Sequence, residues 1–169
     1  MNRTSGSAST NTRRSISSRI SGSQSTRIPS ITTIGAGRTV VAAQPTFEAV
    51  LHFAKVTKAE PVIVPLTPDF RHDLRAMARA CDARAGLVYV CNPNNPTGTI
   101  VTGDELLAFL AQVPPTSAVL VDEAYHHLVE APAYRSAVEM IERFPNVVVA
   151  RTFSKIYGMA GMRLGYAVA

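Results

Sequence analysis

The stretch GLVYVCNPNNPTG, Gly86 to Gly98, joins an unbroken apolar run to a cluster of amides and prolines. Gly86 to Cys91 lacks the alternation of a half-exposed strand. It reads as a strand buried on both faces of a parallel sheet. The two Asn-Pro pairs and the glycine that follow, Asn92 to Gly98, can neither extend that strand nor open a helix, so they form a turn that holds its amides in place. Upstream, Thr39 to Ala43 is a short apolar run that stops at Pro45. Thr46 is expected to cap a helix through Thr57, with Phe47, Val50, Leu51 and Ala54 on one face. Pro61 to Leu66 is a short strand, and Leu74, Met77, Ala78 and Cys81 have helical spacing. Downstream, Thr102 and Glu105 make a capping box that opens a helix through Leu110. Ser117 to Val121 is a strand, Tyr134 to Arg143 a helix, and Val147 to Ala150 another strand. Such alternation predicts an α/β fold with a doubly wound, mostly parallel sheet and flanking helices. In sheets of this kind ligands gather beyond the carboxyl ends of the strands.

The composition sets limits. With 169 residues, 46% apolar and 17% charged, the chain has the make-up of one soluble globular domain. No apolar run approaches the roughly 20 residues that cross a bilayer, so no membrane partner is expected. The net charge of +5 is concentrated at one end: residues 1 to 38 hold six of the 17 Lys and Arg and no acid, leaving 11 basic and 12 acidic groups elsewhere. The folded part therefore has no basic surplus for nucleic acid. Residues 1–37, rich in Ser, Thr and Arg and without period, are expected to be disordered. That composition also has something of an organelle transit peptide, and no apolar region follows the Arg13-Arg14 pair. The folded domain is expected to run from residue 38 to residue 169. Cys81 and Cys91 form neither a CxxC nor a metal-ligand pattern, which implies no metal and a reducing cytoplasm.

Chemistry is sought at the strand ends. Asp122-Glu123-Ala124-Tyr125 follows the strand that ends at Val121, and a carboxylate so placed needs a cationic or hydrogen-bonding partner. Arg151-Thr152-Phe153-Ser154-Lys155 follows the strand that ends at Ala150, and a glycine-rich run leads on to Arg163. A lysine in partly apolar surroundings is a candidate amine nucleophile, because desolvation frees its lone pair. A pyridoxal-phosphate site needs an amine for the Schiff base and a carboxylate that keeps the ring nitrogen protonated. It also needs donors for the phenolic oxygen and cations or hydroxyls for the phosphate. Lysine, aspartate, tyrosine, asparagine and arginine are all present for those tasks. The adjacent His126 and His127 point in different directions and read as packing residues. Gly35-Ala36-Gly37 has no strand before it and is not read as a phosphate loop.

The motifs NPNNPTG (92–98), DEAY (122–125) and TFSKIYGMAGMRLGY (152–166) resemble the signatures of fold-type I, pyridoxal-phosphate-dependent aminotransferases of class I/II. They most resemble the histidinol-phosphate aminotransferase group, including Pro45-Thr46-Phe47, and the similarity runs from about Arg38 to Ala169. The resemblance implies that Lys155 bonds the cofactor covalently and later shuttles a proton. It pairs Asp122 with the ring nitrogen and gives Tyr125 and Asn95 to the phenolic oxygen. Thr152, Arg163 and Ser154 fall to the phosphate, and Phe47 stacks on the ring. It also implies a homodimer, a small-molecule amino donor and a 2-oxo acid acceptor. The family's upstream phosphate-binding turn has no counterpart in the Ser/Thr/Arg-rich segment. The small C-terminal domain, with its carboxylate-binding arginine, would lie beyond Ala169. The expectation is a fragment of weak or no activity by itself. A non-catalytic fragment, or a lyase or decarboxylase of the same fold, stays open.

Overall fold

Six strands hydrogen-bond in the order β2-β1-β3-β4-β5-β6: β1 (Thr39–Gln44), β2 (Glu60–Pro65), β3 (Ala85–Cys91), β4 (Ala118–Asp122), β5 (Val147–Thr152) and β6 (Gly165–Val168). The computed structural model describes residues 34–169, so most of the segment expected to be disordered, up to residue 33, lies outside the described residues. The first five strands are parallel, and β6 closes one edge antiparallel to β5. All seven residues of β3 are buried, as the unbroken apolar run predicts.

The connections explain the two layers of helix. The chain leaves β1 for β2 through α1 (Ala49–Val56), then crosses back over β1 through α2 (Leu74–Arg79) to reach β3. Parallel crossovers are right-handed, so reversing the direction of winding moves the helices to the opposite face. Val50 and Ala54 of α1 accordingly pack with Val40, Ala42, Leu87 and Tyr89 on one face. On the other, α2 and α3 (Gly103–Leu110) bring Met77, Leu106 and Phe109 against Val41, Val88 and Val119. The winding reverses between β1 and β3, and a crevice forms beyond their carboxyl ends. Among the described residues no helix is long and apolar enough to cross a membrane.

Local chemistry fixes several boundaries. Thr102 accepts the Glu105 N–H while the Glu105 carboxylate accepts the Thr102 N–H, completing the expected capping box of α3. Thr102→Ala is expected to lower stability by about 1 kcal/mol, read as a small drop in the thermal midpoint. Gly165 is required where β6 meets β5, because a Cβ there would lie 2.7 Å from the Arg151 carbonyl oxygen.

Two sequence expectations are corrected. Thr46 does not cap α1: the helix begins at Ala49 behind Glu48, without a side-chain cap, and Thr46 is buried with its hydroxyl donated to Asn94 Oδ1 at 2.8 Å. The helix expected over Tyr134–Arg143 is only a 3-10 turn at Ala137–Met140. Its first free N–H, from Ala137, is taken by the buried Glu123 carboxylate at 2.7 Å, and the Ser136 hydroxyl accepts from Val138. The segment is thus organised around Glu123 rather than by helical period.

Candidate cofactor site

A cleft of about 290 Å³ lies at the carboxyl ends of β3, β4 and β5. Asp122 enters it from the end of β4, with Tyr125 three residues on. Thr152 ends β5, with Ser154 and Lys155 just beyond. Asn95 comes from the turn after β3, Phe47 from the loop after β1, and Arg163 from the loop before β6. All eight line the one cleft. Cys91 and Arg151, which sequence reasoning did not assign, line it too.

Its floor is rigid because the turn after β3 is tied down by amides. Asn92 donates to the Val101 carbonyl at 3.1 Å and accepts the Val101 N–H at 3.1 Å. Asn94 accepts from Thr46 and His72 and donates to the Pro45 carbonyl and Thr97. Burial holds the His72 imidazole below its usual range, although the bond to Asn94 works the other way. Gly98, with φ +70°, supplies the left-handed residue that lets its N–H reach the Asn94 carbonyl. Asn92 and Asn94 are therefore committed inside the turn, and Asn95 is left for the cleft. Asn92→Ala is expected to cost roughly 2–3 kcal/mol in a denaturant titration, since it strands two buried backbone groups of Val101.

Asp122 is held on both oxygens. Tyr89 donates its hydroxyl to Oδ2 at 2.8 Å, and the Ala124 N–H bonds Oδ1 at 3.1 Å. Across the cleft, Lys155 Nζ lies 5.1 Å from the centre of the Tyr125 ring. Every residue from Lys155 to Ala167 is exposed, so the lysine stands at an open wall. Thr152 Oγ1 accepts the Ser154 N–H at 3.0 Å, a turn that sets Thr152 and Ser154 together. Arg163 has left-handed φ at +51° and donates to its own Ala160 carbonyl at 3.1 Å. Phe47 is 47% exposed, which removes it from the core and leaves it as a wall of the cleft.

Behind these groups lies a buried ion pair that the sequence did not reveal. Glu123, 1% exposed, accepts from Arg151 at 2.8 Å, from Ser136 at 2.9 Å and from the Ala137 N–H. Burial works against the charge on Arg151, but bonds to Tyr166 and Glu123 outweigh it and raise its pKa. The pair ties the end of β5 to the residue after Asp122. His126 is half-buried, its Nδ1 against the Tyr134 hydroxyl at 3.2 Å; His127 is exposed with Nε2 3.3 Å from the Tyr157 hydroxyl, and the two rings meet edge to face at 4.9 Å instead of pointing apart.

The donor set fits a small phosphorylated heterocycle. An amine stands at one wall and a carboxylate, locked and partly buried, at another. Hydroxyls and an arginine line the remainder, and the volume is at the low end of the ~300–1,000 Å³ typical of ligand clefts.

Comparison with known proteins agrees in family. Residues 18–169 match the model for aminotransferase class I and II. The chain is 48% identical over 134 residues to an aromatic amino acid aminotransferase of Cutibacterium acnes, covering 79% of this chain and 38% of that protein. It is 50% identical over 139 residues to a histidinol-phosphate aminotransferase of Moorella thermoacetica, covering 82% and 36%. The fold superposes with a TM-score of 0.74 on the crystal structure of histidinol-phosphate aminotransferase from Sinorhizobium meliloti in complex with pyridoxal-5'-phosphate. That match has 34% identity and covers 80% of this chain and 37% of the other. The chain thus spans well under half the length of the relatives it matches.

Proposed function

The chain belongs to aminotransferase class I and II, and from that premise we propose that its cleft binds pyridoxal 5'-phosphate and serves amino transfer from an amino donor to a 2-oxo acid. The observation that carries this reading is the convergence of eight chemically suited side chains on one cleft. When bound, the cofactor supplies an electron sink for charge developing at the substrate's Cα. Lys155 would hold it through Nζ, and the same amine would serve as general base and acid for the proton at Cα. Asp122 keeps the ring nitrogen protonated. Tyr125 and Asn95 donate to the phenolic oxygen, while Phe47 covers one ring face. Thr152, Ser154 and Arg163 hold the phosphate. The whole protein works as a homodimer in the cytoplasm, a setting consistent with two free thiols, Cys81 and Cys91. The donors favoured are histidinol phosphate and aromatic amino acids, those named for the relatives above.

The test is to add pyridoxal phosphate and a panel of such donors to the whole protein, then follow the cofactor absorbance and the products. Conversion of the band with release of the matching 2-oxo product is expected. Release of pyruvate with ammonia, or of carbon dioxide, would replace amino transfer by elimination or decarboxylation. A band that no donor alters would overturn the assignment.

A further inference from the structure

Tyr89 lies in the middle of β3, opposite Ala42 on one side and Leu120 on the other, and is 2% exposed. A phenol so deeply buried needs an acceptor, and Tyr89 finds it in Asp122 Oδ2 at 2.8 Å. With the Ala124 N–H on Oδ1, one protein donor sits on each carboxylate oxygen. A carboxylate has about four lone-pair sites, so each oxygen keeps capacity for a cation from the cleft. The two bonds fix the plane of the carboxylate without consuming it. Burial first, then the neighbouring Cys91 and Asp122, push the phenol far up, so it remains protonated and remains a donor.

We infer that Tyr89 is a positioning residue for ring recognition, its hydroxyl locking Asp122 in the orientation that meets a protonated ring nitrogen. This rests on the assignment of Asp122 to the ring nitrogen made above. Tyr89 does not itself line the cleft; its hydroxyl sits behind Asp122, with the Cys91 thiol as its other polar neighbour, and its hydrogen bond to the cleft carboxylates is the one to Asp122. The lock makes the site selective for a nitrogen heterocycle over a ring of the same shape without the nitrogen.

Two probes separate this role from ordinary packing: pyridoxamine phosphate, and its analogue in which carbon replaces the ring nitrogen. Neither carries an aldehyde, so neither reacts with Lys155. In Tyr89→Phe the ring and its packing stay, and the hydroxyl goes. Affinity for pyridoxamine phosphate is expected to fall roughly three- to tenfold, the scale of one hydrogen bond to a charged group transmitted to a neighbour. Affinity for the carbon analogue is expected to stay unchanged, which also shows that the variant is folded. In an Asp122→Ala background Tyr89→Phe should have no further effect on either probe. Equal weakening of both probes, or of neither, would overturn the inference. Failure of Lys155 to capture pyridoxal phosphate would strike the assignment above and leave this comparison standing.

Discussion

Covalent capture of pyridoxal phosphate is expected to vanish in Lys155→Ala, and amino transfer by the whole protein to fall by more than about 10⁴-fold. Both consequences come from one atom. Lys155 is the lysine lining the cleft, and its Nζ faces the Tyr125 ring at 5.1 Å. Removing it deletes the amine that bonds the cofactor and the group that would carry a proton at Cα, the latter alone worth about 10²–10⁴-fold. The fold should not notice. Lys155 is exposed, and the loop around it is held by backbone bonds such as Gly158 N–H to the Lys155 carbonyl at 3.0 Å. Mass spectrometry of the reduced protein and single-turnover kinetics check the two losses, and an unchanged thermal midpoint checks the third point. Appreciable capture by the variant would move the chemistry to another amine.

The second large effect is on stability. Glu123→Ala is expected to cost about 3–5 kcal/mol, lowering the unfolding midpoint by on the order of 10 °C. The carboxylate is 1% exposed and its partner Arg151 only 15%. Deleting Glu123 therefore leaves a guanidinium in the protein with its main counter-charge gone. It also frees the Ser136 hydroxyl and the Ala137 N–H. A control identifies the cause: Glu123→Leu combined with Arg151→Met should cost less than Glu123→Ala alone, because no unpaired charge remains. If the double variant is the worse one, packing rather than the stranded charge sets the cost. The thermal and denaturant midpoints of the three proteins decide it.

What was readable in the sequence follows physical lines. The buried run Gly86–Cys91, the capping box at Thr102 and the strand-helix alternation rest on local patterns, and the structure contains them. The rule that strand ends converge pointed to the segments after Cys91, Val121 and Ala150, whereas the choice of individual residues, and Phe47 altogether, came from the family resemblance; the structure lines one crevice with all eight. Errors came where a side chain serves a distant partner. Thr46 has the form of a helix cap, but 48 residues on lies Asn94, which takes its hydroxyl. The helical period at Tyr134–Arg143 yields to Glu123, a contact no periodicity encodes. Tyr89 read as one more apolar residue of a strand, because nothing in GLVYVC indicates which strand stands beside it. The register Cys91↔Asp122, known only from the fold, brings its hydroxyl to Asp122.

If these side chains form a working cofactor cleft, Lys155 is where the cofactor is captured. The most direct test is to mix the protein with pyridoxal phosphate, reduce with borohydride and map the labelled peptides. A single label on Lys155 is expected, absent from Lys155→Ala and weakened in a variant with Asp122→Ala. Labels scattered over Lys55, Lys58 and Lys155 alike, or no label at all, would contradict it.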